Sequence, residues 1–294
     1  MNTPRTNDLD VLVVGAGFAG LYMLHRLRQA GFTAGAAETG SDVGGTWYWN
    51  RYPGARCDVE SFDYSYSFDP QIEQDWTWTE RYAAQPEILA YLRFVADRLD
   101  LRRDIAFNTR IVSARYNEIG RRWTATAEDG AVWSCRRLIL ATGPLSAAKP
   151  PDIAGIDDFQ GLKLQTSSWP EAGGDLSGKR VGVIGTGSSG VQCIPIIAEQ
   201  AAHLHVLQRT PAFSLPAFNG PLAEPFIADM KRNYRAHRNK TRRTRQGVIF
   251  RSTGKRAFDV EEQERREVYE TYWRGGGFHF ASSFTDLLLD HGAN

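Results

Sequence analysis

The sequence predicts an α/β protein with two Rossmann-like dinucleotide-binding domains, each built on a doubly wound parallel sheet, and a β-meander between their nucleotide turns. Two glycine-rich turns of one kind, Gly15-Ala16-Gly17-Phe18-Ala19-Gly20 and Gly185-Thr186-Gly187-Ser188-Ser189-Gly190, stand about 170 residues apart. Each follows a short apolar strand and opens a helical pattern, the context that separates a nucleotide turn from a chance glycine match. Between them, residues 105–140 read as a meander closed by Ala141-Thr142-Gly143-Pro144. A chain of 294 residues is long enough for two domains at about 100–200 residues each.

The first unit opens with a buried parallel strand over residues 10–14, Asp-Val-Leu-Val-Val. A helix is predicted over residues 18–30, with Leu21, Leu24 and Leu27 at helical spacing and Gly31 as its stop. Gly15 permits the tight turn, Gly17 lets backbone approach a pyrophosphate, and Gly20 lets helix and strand pack closely. Phe18 and Ala19 then sit in the first turn of the helix, where free N–H groups favour phosphate. A second strand over residues 33–37 ends at Glu38, whose carboxylate can accept from a ribose hydroxyl. This unit suits FAD or NAD.

The run from Gly44 to Asp58, dense in aromatic residues, Gly and Pro, has no helical or strand period and reads as an ordered loop that offers flat rings to a planar ligand. Residues 146–155, rich in Pro and Ala, read as a linker, and Gly173-Gly174-Asp175 as a turn before the second unit. That unit has a strand over residues 181–184, the second glycine-rich turn with Thr186, Ser188 and Ser189 between its glycines, and a helix from Val191. Its next strand, residues 204–207, ends in Gln208-Arg209-Thr210 where the first unit has Glu38. An arginine cannot accept from a ribose hydroxyl but suits a 2′-phosphate, so this unit is the one expected to take NADPH.

The segment Gly44-Gly45-Thr46-Trp47, followed by Tyr52-Pro53-Gly54 and Asp58, resembles the flavin-side motif of the Baeyer-Villiger monooxygenases. Phe159, Gly161, Trp169 and Pro170 resemble the fingerprint of that family, and Ala141-Thr142-Gly143 resembles the turn of two-dinucleotide flavoproteins. Position 165 departs from the fingerprint, holding Gln165 where the family has histidine; an amide hydrogen-bonds but does not titrate. The resemblance implies FAD at Gly15, Gly17, Gly20 and Glu38 with Gly45, Thr46, Trp47 and Tyr52 beside it, and NADPH at Gly185, Gly187, Gly190 and Arg209. It implies oxygenation of a small-molecule ketone by O2 to an ester or lactone through a flavin C4a-peroxide, with Asp58 as the catalytic carboxylate tuning a partner arginine. Domains follow as residues 1–145, the N-terminal lobe of an FAD-binding domain; 146–178, a linker carrying the fingerprint; and 179–294, an NADPH-binding domain with a helical insertion. The tail from Tyr272 to Asp290 resembles the interior of that domain, so the fold is expected to be C-terminally incomplete, either a truncated fragment or one half of a split enzyme with a complementary C-terminal polypeptide as partner. An N- or S-oxygenating flavin monooxygenase, an NADPH oxidase, and a non-catalytic FAD/NADP-binding subunit stay open beside this reading.

Net charge is +1, with 42% hydrophobic and 23% charged residues, which argues against disorder and against a polyanion-binding surface overall. No run approaches the roughly 18 apolar residues of a membrane span, so a cytoplasmic location without membrane contact is expected. Three well-separated cysteines, Cys57, Cys135 and Cys193, fit a reducing compartment. Residues 231–258 hold no acidic residue and crowd Lys231, Arg232, Arg235 and Arg238 together. They read as a solvated helical insertion partnered by Glu261-Glu262-Gln263-Glu264 rather than as a nucleic-acid surface. His203 and His205 share a strand face without a third ligand, so no metal site is expected.

Overall fold

A computed structural model describes residues 6–145, 147–211 and 213–293. Its elements run in chain order β1 (Thr6–Val14), α1 (Phe18–Gln29), β2 (Ala34–Ala37), α2 (Thr46–Trp49), α3 (Pro70–Asp75) and α4 (Gln85–Arg98). The strands β3 (Ile105–Ala106), β4 (Ile111–Asn117), β5 (Arg122–Ala127) and β6 (Val132–Leu140) follow. Beyond them lie β7 (Arg180–Ile184), α5 (Ser188–Gln200), β8 (His203–Leu207), α6 (Glu224–Thr241) and α7 (Glu262–Gly275). Contacts group the chain into two compact units: residues up to Ala55 with Gln85–Leu176, and Arg56–Ala84 with the chain from Ser177 onward.

The first unit is one six-stranded mixed sheet in the order β3-β2-β1-β6-β5-β4. Strands β3, β2, β1 and β6 are mutually parallel, while β6-β5-β4 are antiparallel. Val11, Leu12 and Val13 of β1 are fully buried, as a central parallel strand covered on both faces requires. Small residues make β2, and Leu21 and Leu24 of α1 are buried, so the helix turns the predicted stripe inward. The chain leaves that helix through Gly31 at φ +78°, as its stop predicts. Leu12 of β1, Ala37 of β2, Ala125 and Ala127 of β5, and Trp133 and Cys135 of β6 form one apolar cluster that joins the parallel and antiparallel parts of the sheet.

Two expectations are corrected in this unit. Residues 105–106 belong to the parallel part, paired with β2, so the meander proper runs from Ile111. It is continuous with the Rossmann sheet because β6 hydrogen-bonds to β1 over most of its length. The aromatic segment is not wholly loop: Thr46–Trp49 form a single helical turn, too short for periodicity to reveal.

In the second unit β7 and β8 pair in parallel, with α5 between them. Among the described residues this sheet has two strands. The basic run is also redistributed. α6 ends at Thr241, so only the first part of the run is helical, and its buried Arg238 is partnered by Glu73 at 2.9 Å and Asp63 at 4.0 Å rather than by the acidic cluster at 261–264. His237 hydrogen-bonds Asp63 at 2.5 Å, and Arg238 also donates to Ser65 Oγ at 2.7 Å. From the cluster, Glu264 pairs with Lys255 and Glu262 with Arg266. No helix among the described residues is long and apolar enough to cross a membrane.

Candidate functional site

The first glycine-rich turn is shaped by contacts that no side chain would allow. Gly15 lies at φ +107°, and a Cβ there would meet the Ala141 carbonyl oxygen at 2.5 Å. One on Gly20 would lie 1.9 Å from the Gly15 oxygen, which fixes the close approach of α1 to the turn. Gly17 is the N-cap of α1 and places no side chain over the free N–H groups; no acidic residue occupies the first turn. Backbone donors and the positive end of the helix therefore face outward together, an arrangement that accepts a phosphate. Phe18 and Ala19 form that first turn, with Ala19 exposed and the Phe18 ring 6.3 Å from Tyr91.

Glu38 does more than end β2. Its buried carboxylate accepts from the Ala16 N–H and from the Gly40 N–H, each at 2.7 Å, so it fastens the turn between β1 and α1 to the end of β2. Each carboxylate oxygen retains a further lone pair, so the group can still accept from a ribose hydroxyl. Gly45, at φ +52°, packs against Gly17 backbone to backbone; a Cβ on Gly45 would sit 2.8 Å from the Gly17 Cα. The Gly44 N–H donates to the Ala16 carbonyl at 3.1 Å. Thr46 and the buried Trp47 begin α2 from there, held by the Gln85 amide on the Trp47 carbonyl, and the half-buried Tyr52 follows. The structure thus gathers Gly15, Gly17, Gly20, Glu38, Gly45, Thr46 and Trp47 about one turn.

Asp42, just beyond β2, holds Arg102 at 2.6 Å and Arg93 at 2.7 Å. Partial burial pulls its carboxyl upward, but the hydrogen bonds from Arg102, the Val43 N–H and Arg93 outweigh it and leave the group below the ordinary carboxylate range. A cavity of about 320 Å³ in this unit is lined by Tyr48, Arg51, Gln85, Arg93 and Glu171. None of the predicted nucleotide residues lines it, and Arg51, 4.8 Å from the Tyr48 ring centre and 3.3 Å from Glu171, is already partnered.

The second turn repeats the backbone design in the second unit. Gly185 has φ +102°, and a Cβ on Gly190 would lie 2.4 Å from the Gly185 oxygen. Gly187 is the N-cap of α5 with nothing within 4 Å of its missing Cβ, leaving room above Ser188 and Ser189 for a ligand. The Gln208 amide donates to Thr186 Oγ1 at 2.6 Å, tying the chain after β8 to the turn. Arg209 and Thr210 are exposed, and Arg209 has no ion-pair partner among the described residues, so its guanidinium is available to an anion. His203 and His205 lie side by side on β8 with ring centres 4.3 Å apart, and no group of metal-ligating side chains occurs among the described residues.

Asp58 belongs to this second unit. Its Oδ1 accepts from the Gln192 amide at 3.1 Å. Asp58 is an exposed residue; packing around part of its carboxyl pushes it upward, against the opposing hydrogen bond from Gln192. It lines a small cleft with Glu60, Asp63, Tyr82, Phe250 and His279. The neighbouring Cys57 thiol is pushed up to about 11 by burial and stays protonated at neutral pH. Sequence reasoning missed Gln192, a helix residue beyond the glycine motif that only the fold brings to Asp58. It also missed Arg238, hidden in a run that looked solvated. Gln165, on the fingerprint, donates to the Lys149 carbonyl at 2.6 Å.

Residues 9–260 match the pyridine nucleotide-disulphide oxidoreductase family. Over 97% of its length the chain is 46% identical to a phenazine N-monooxygenase of Lysobacter antibioticus, covering 53% of that protein. It is 44% identical to a Baeyer-Villiger monooxygenase of Pseudooceanicola batsensis over 98% of its length, again covering 53% of the relative. The crystal structure of OTEMO in complex with FAD and NADP superimposes on all of the chain with a TM-score of 0.92 at 43% identity, the match covering 56% of that structure. The chain spans about half the length of the curated relatives it matches.

Proposed function

We propose, from the premise that this chain belongs to the pyridine nucleotide-disulphide oxidoreductase family, that it is the two-nucleotide part of an FAD- and NADPH-dependent monooxygenase of the Baeyer-Villiger type. The observation that carries this reading is the pair of strand-turn-helix units with opposite endings, a buried Glu38 in one and an exposed Gln208-Arg209-Thr210 in the other. The residues present fit both cofactors. The N-terminus of α1 offers uncapped N–H groups to the FAD pyrophosphate, with Glu38 toward the ribose. Gly187 leaves open space before α5 for the NADPH pyrophosphate, with Arg209 toward the 2′-phosphate. Bound flavin supplies the redox and oxygen chemistry by which a ketone becomes an ester or lactone.

The chain's own part is to bind, orient and set charge. Glu38 fixes the first turn through two backbone N–H groups, and Trp47 is held in place by Gln85. Asp58 is the carboxylate this reading assigns to the reacting region. Its Oδ1 is a proton-accepting atom held by Gln192, and it supplies negative charge to a cationic partner. Ketone and O2 are the substrates on this reading. A second reading, oxygenation of a ring nitrogen, is favoured by the similarity to the phenazine N-monooxygenase.

The visible spectrum of the purified chain incubated with FAD, before and after anaerobic NADPH, tests the proposal. Bound yellow flavin that bleaches supports it. A chain that retains no flavin and leaves NADPH unoxidised refutes it. Product analysis with a cyclic ketone and with a phenazine then separates the two oxygenation readings.

A further inference from the structure

We propose that Gln192 is a positioning residue for Asp58, holding its carboxylate in one orientation from the helix that opens at the second glycine-rich turn. The proposal rests on the reading of that turn and of Asp58 given above.

Gln192 lies in the second turn of α5, the helix whose N-cap is Gly187. Its Nε2 donates to the Arg56 carbonyl at 3.1 Å and to Asp58 Oδ1 at 3.1 Å, while its Oε1 accepts from the Arg56 N–H at 3.4 Å. One amide therefore meets both backbone groups of Arg56, as a neighbouring strand would, and has its remaining donor aimed at the carboxylate two residues on. That pattern admits one orientation of the amide. Reversed, its NH2 would oppose the Arg56 N–H and its oxygen would face two acceptors. An amide also keeps its donor at every pH, whereas a lysine or histidine in its place would bring a charge of its own.

Arg56 is in turn anchored: its guanidinium pairs with Glu80 at 2.9 Å and donates to the Tyr82 carbonyl at 3.0 Å. The segment that carries Asp58 is thus fixed on one side by that ion pair and on the other by α5. A ligand seated on the first turn of α5 and the carboxylate of Asp58 are then held by one rigid helix, so occupancy of the turn is felt at Asp58 through Gln192. The titratable groups that share the cleft with Asp58 are Glu60, Asp63, Tyr82 and His279. Asp58 is exposed, so only partial desolvation raises its carboxyl, and the Gln192 hydrogen bond opposes that rise.

The test is a carboxyl-carbon NMR titration of Asp58 in the purified chain, with and without saturating NADP⁺. The variants are Gln192→Leu, which removes the donor, and Gln192→Glu, which keeps the length and shape. In the ligand-free protein both variants are expected to move the Asp58 midpoint upward. Gln192→Glu should move it further, because a second carboxylate then faces the first. NADP⁺ is expected to shift the Asp58 resonance in the wild type and not in Gln192→Leu. The exchange Asp58→Asn with Gln192→Glu, which swaps amide and carboxylate across the same contact, is expected to restore the melting temperature lost in Gln192→Glu alone. An Asp58 midpoint unchanged in both folded variants overturns the proposal, as does an NADP⁺-induced shift that survives in Gln192→Leu. A wild-type chain that fails to bind NADP⁺ overturns the nucleotide reading instead, because the ligand-free titration decides the role of Gln192 without it.

Discussion

Gly20 and Gly187 belong to the same motif in two copies, yet their surroundings assign them different tasks. A methyl group on Gly20 would collide with the Gly15 carbonyl at 1.9 Å, whereas one on Gly187 meets open space. Gly20→Ala is therefore expected to lower stability by about 3 kcal/mol or more, read from urea unfolding, because backbone must move to admit it. Gly187→Ala should leave the unfolding midpoint within about 0.5 kcal/mol of wild type, because its methyl meets no protein atom, and on the proposed reading should weaken NADP⁺ binding by entering the space left for the ligand. Arg209 is likewise exposed, and Arg209→Ala should raise the dissociation constant for NADP⁺ by about 10-fold or more while leaving that for NAD⁺ nearly unchanged, measured by calorimetric titration. The placement of the glycines in strand-turn-helix units, and of Glu38 and Arg209 just after the next strands, was legible in the sequence because these elements stand at fixed local offsets. Gln192 and Arg238 were not. Their partners lie more than 130 residues away in the chain, at Asp58, and at Asp63 and Glu73, and nothing local marks the meeting.

Among the elements, those with long apolar or periodic signals matched their reading within a few residues. α1 was expected over residues 18–30 and spans Phe18–Gln29; the second strand was expected over 33–37 and spans Ala34–Ala37. Register was harder. Two residues at 105–106 pair with β2 rather than with the meander, a choice made by β2's free edge and invisible to local pattern. α6 is tied to the chain around α3 through Arg238, which is buried with Glu73 and Asp63. Arg238→Ala would leave the buried Glu73 carboxylate without its cation, while Asp63 keeps His237, and is expected to cost about 3–5 kcal/mol, whereas the same change at exposed Arg232 should cost about 1 kcal/mol or less, both read from chemical denaturation. The link from Asp42 to Arg93 on α4 and to Arg102 gives an acid signature. Because the folded carboxyl lies below its unfolded value, its contribution is complete above that value, near pH 4, and is lost as pH falls through the lower folded one. Asp42→Asn should therefore flatten the fall of the urea midpoint in this acid range while leaving its shape near neutral pH unchanged.

At the scale of the whole chain, each unit carries one turn, and each ligand should stabilise what it binds. FAD at about 100 times its dissociation constant is expected to add about 2.7 kcal/mol to the unit that holds Glu38, and NADP⁺ the same to the unit that holds Arg209, resolved by hydrogen exchange of the amides in β1 and in β7. Protection that rises in both strands with either ligand would refute separate sites. The two-turn plan was readable from the start, since each turn announces itself; the membership of residues 56–84 was not, because no composition change marks either crossing. That membership bears on how the polypeptide is made. The chain passes from the first unit to the second at Arg56, returns at Gln85 and leaves again at Ser177, so neither unit is a contiguous stretch of message. During translation, residues 56–84 emerge roughly 90 residues ahead of the rest of their unit, a wait on the order of 5–20 s at ribosomal speeds. Through that interval Asp63 and Glu73 stay hydrated while Arg238 is still unmade. No single cut of the gene could pass either nucleotide module intact to another protein.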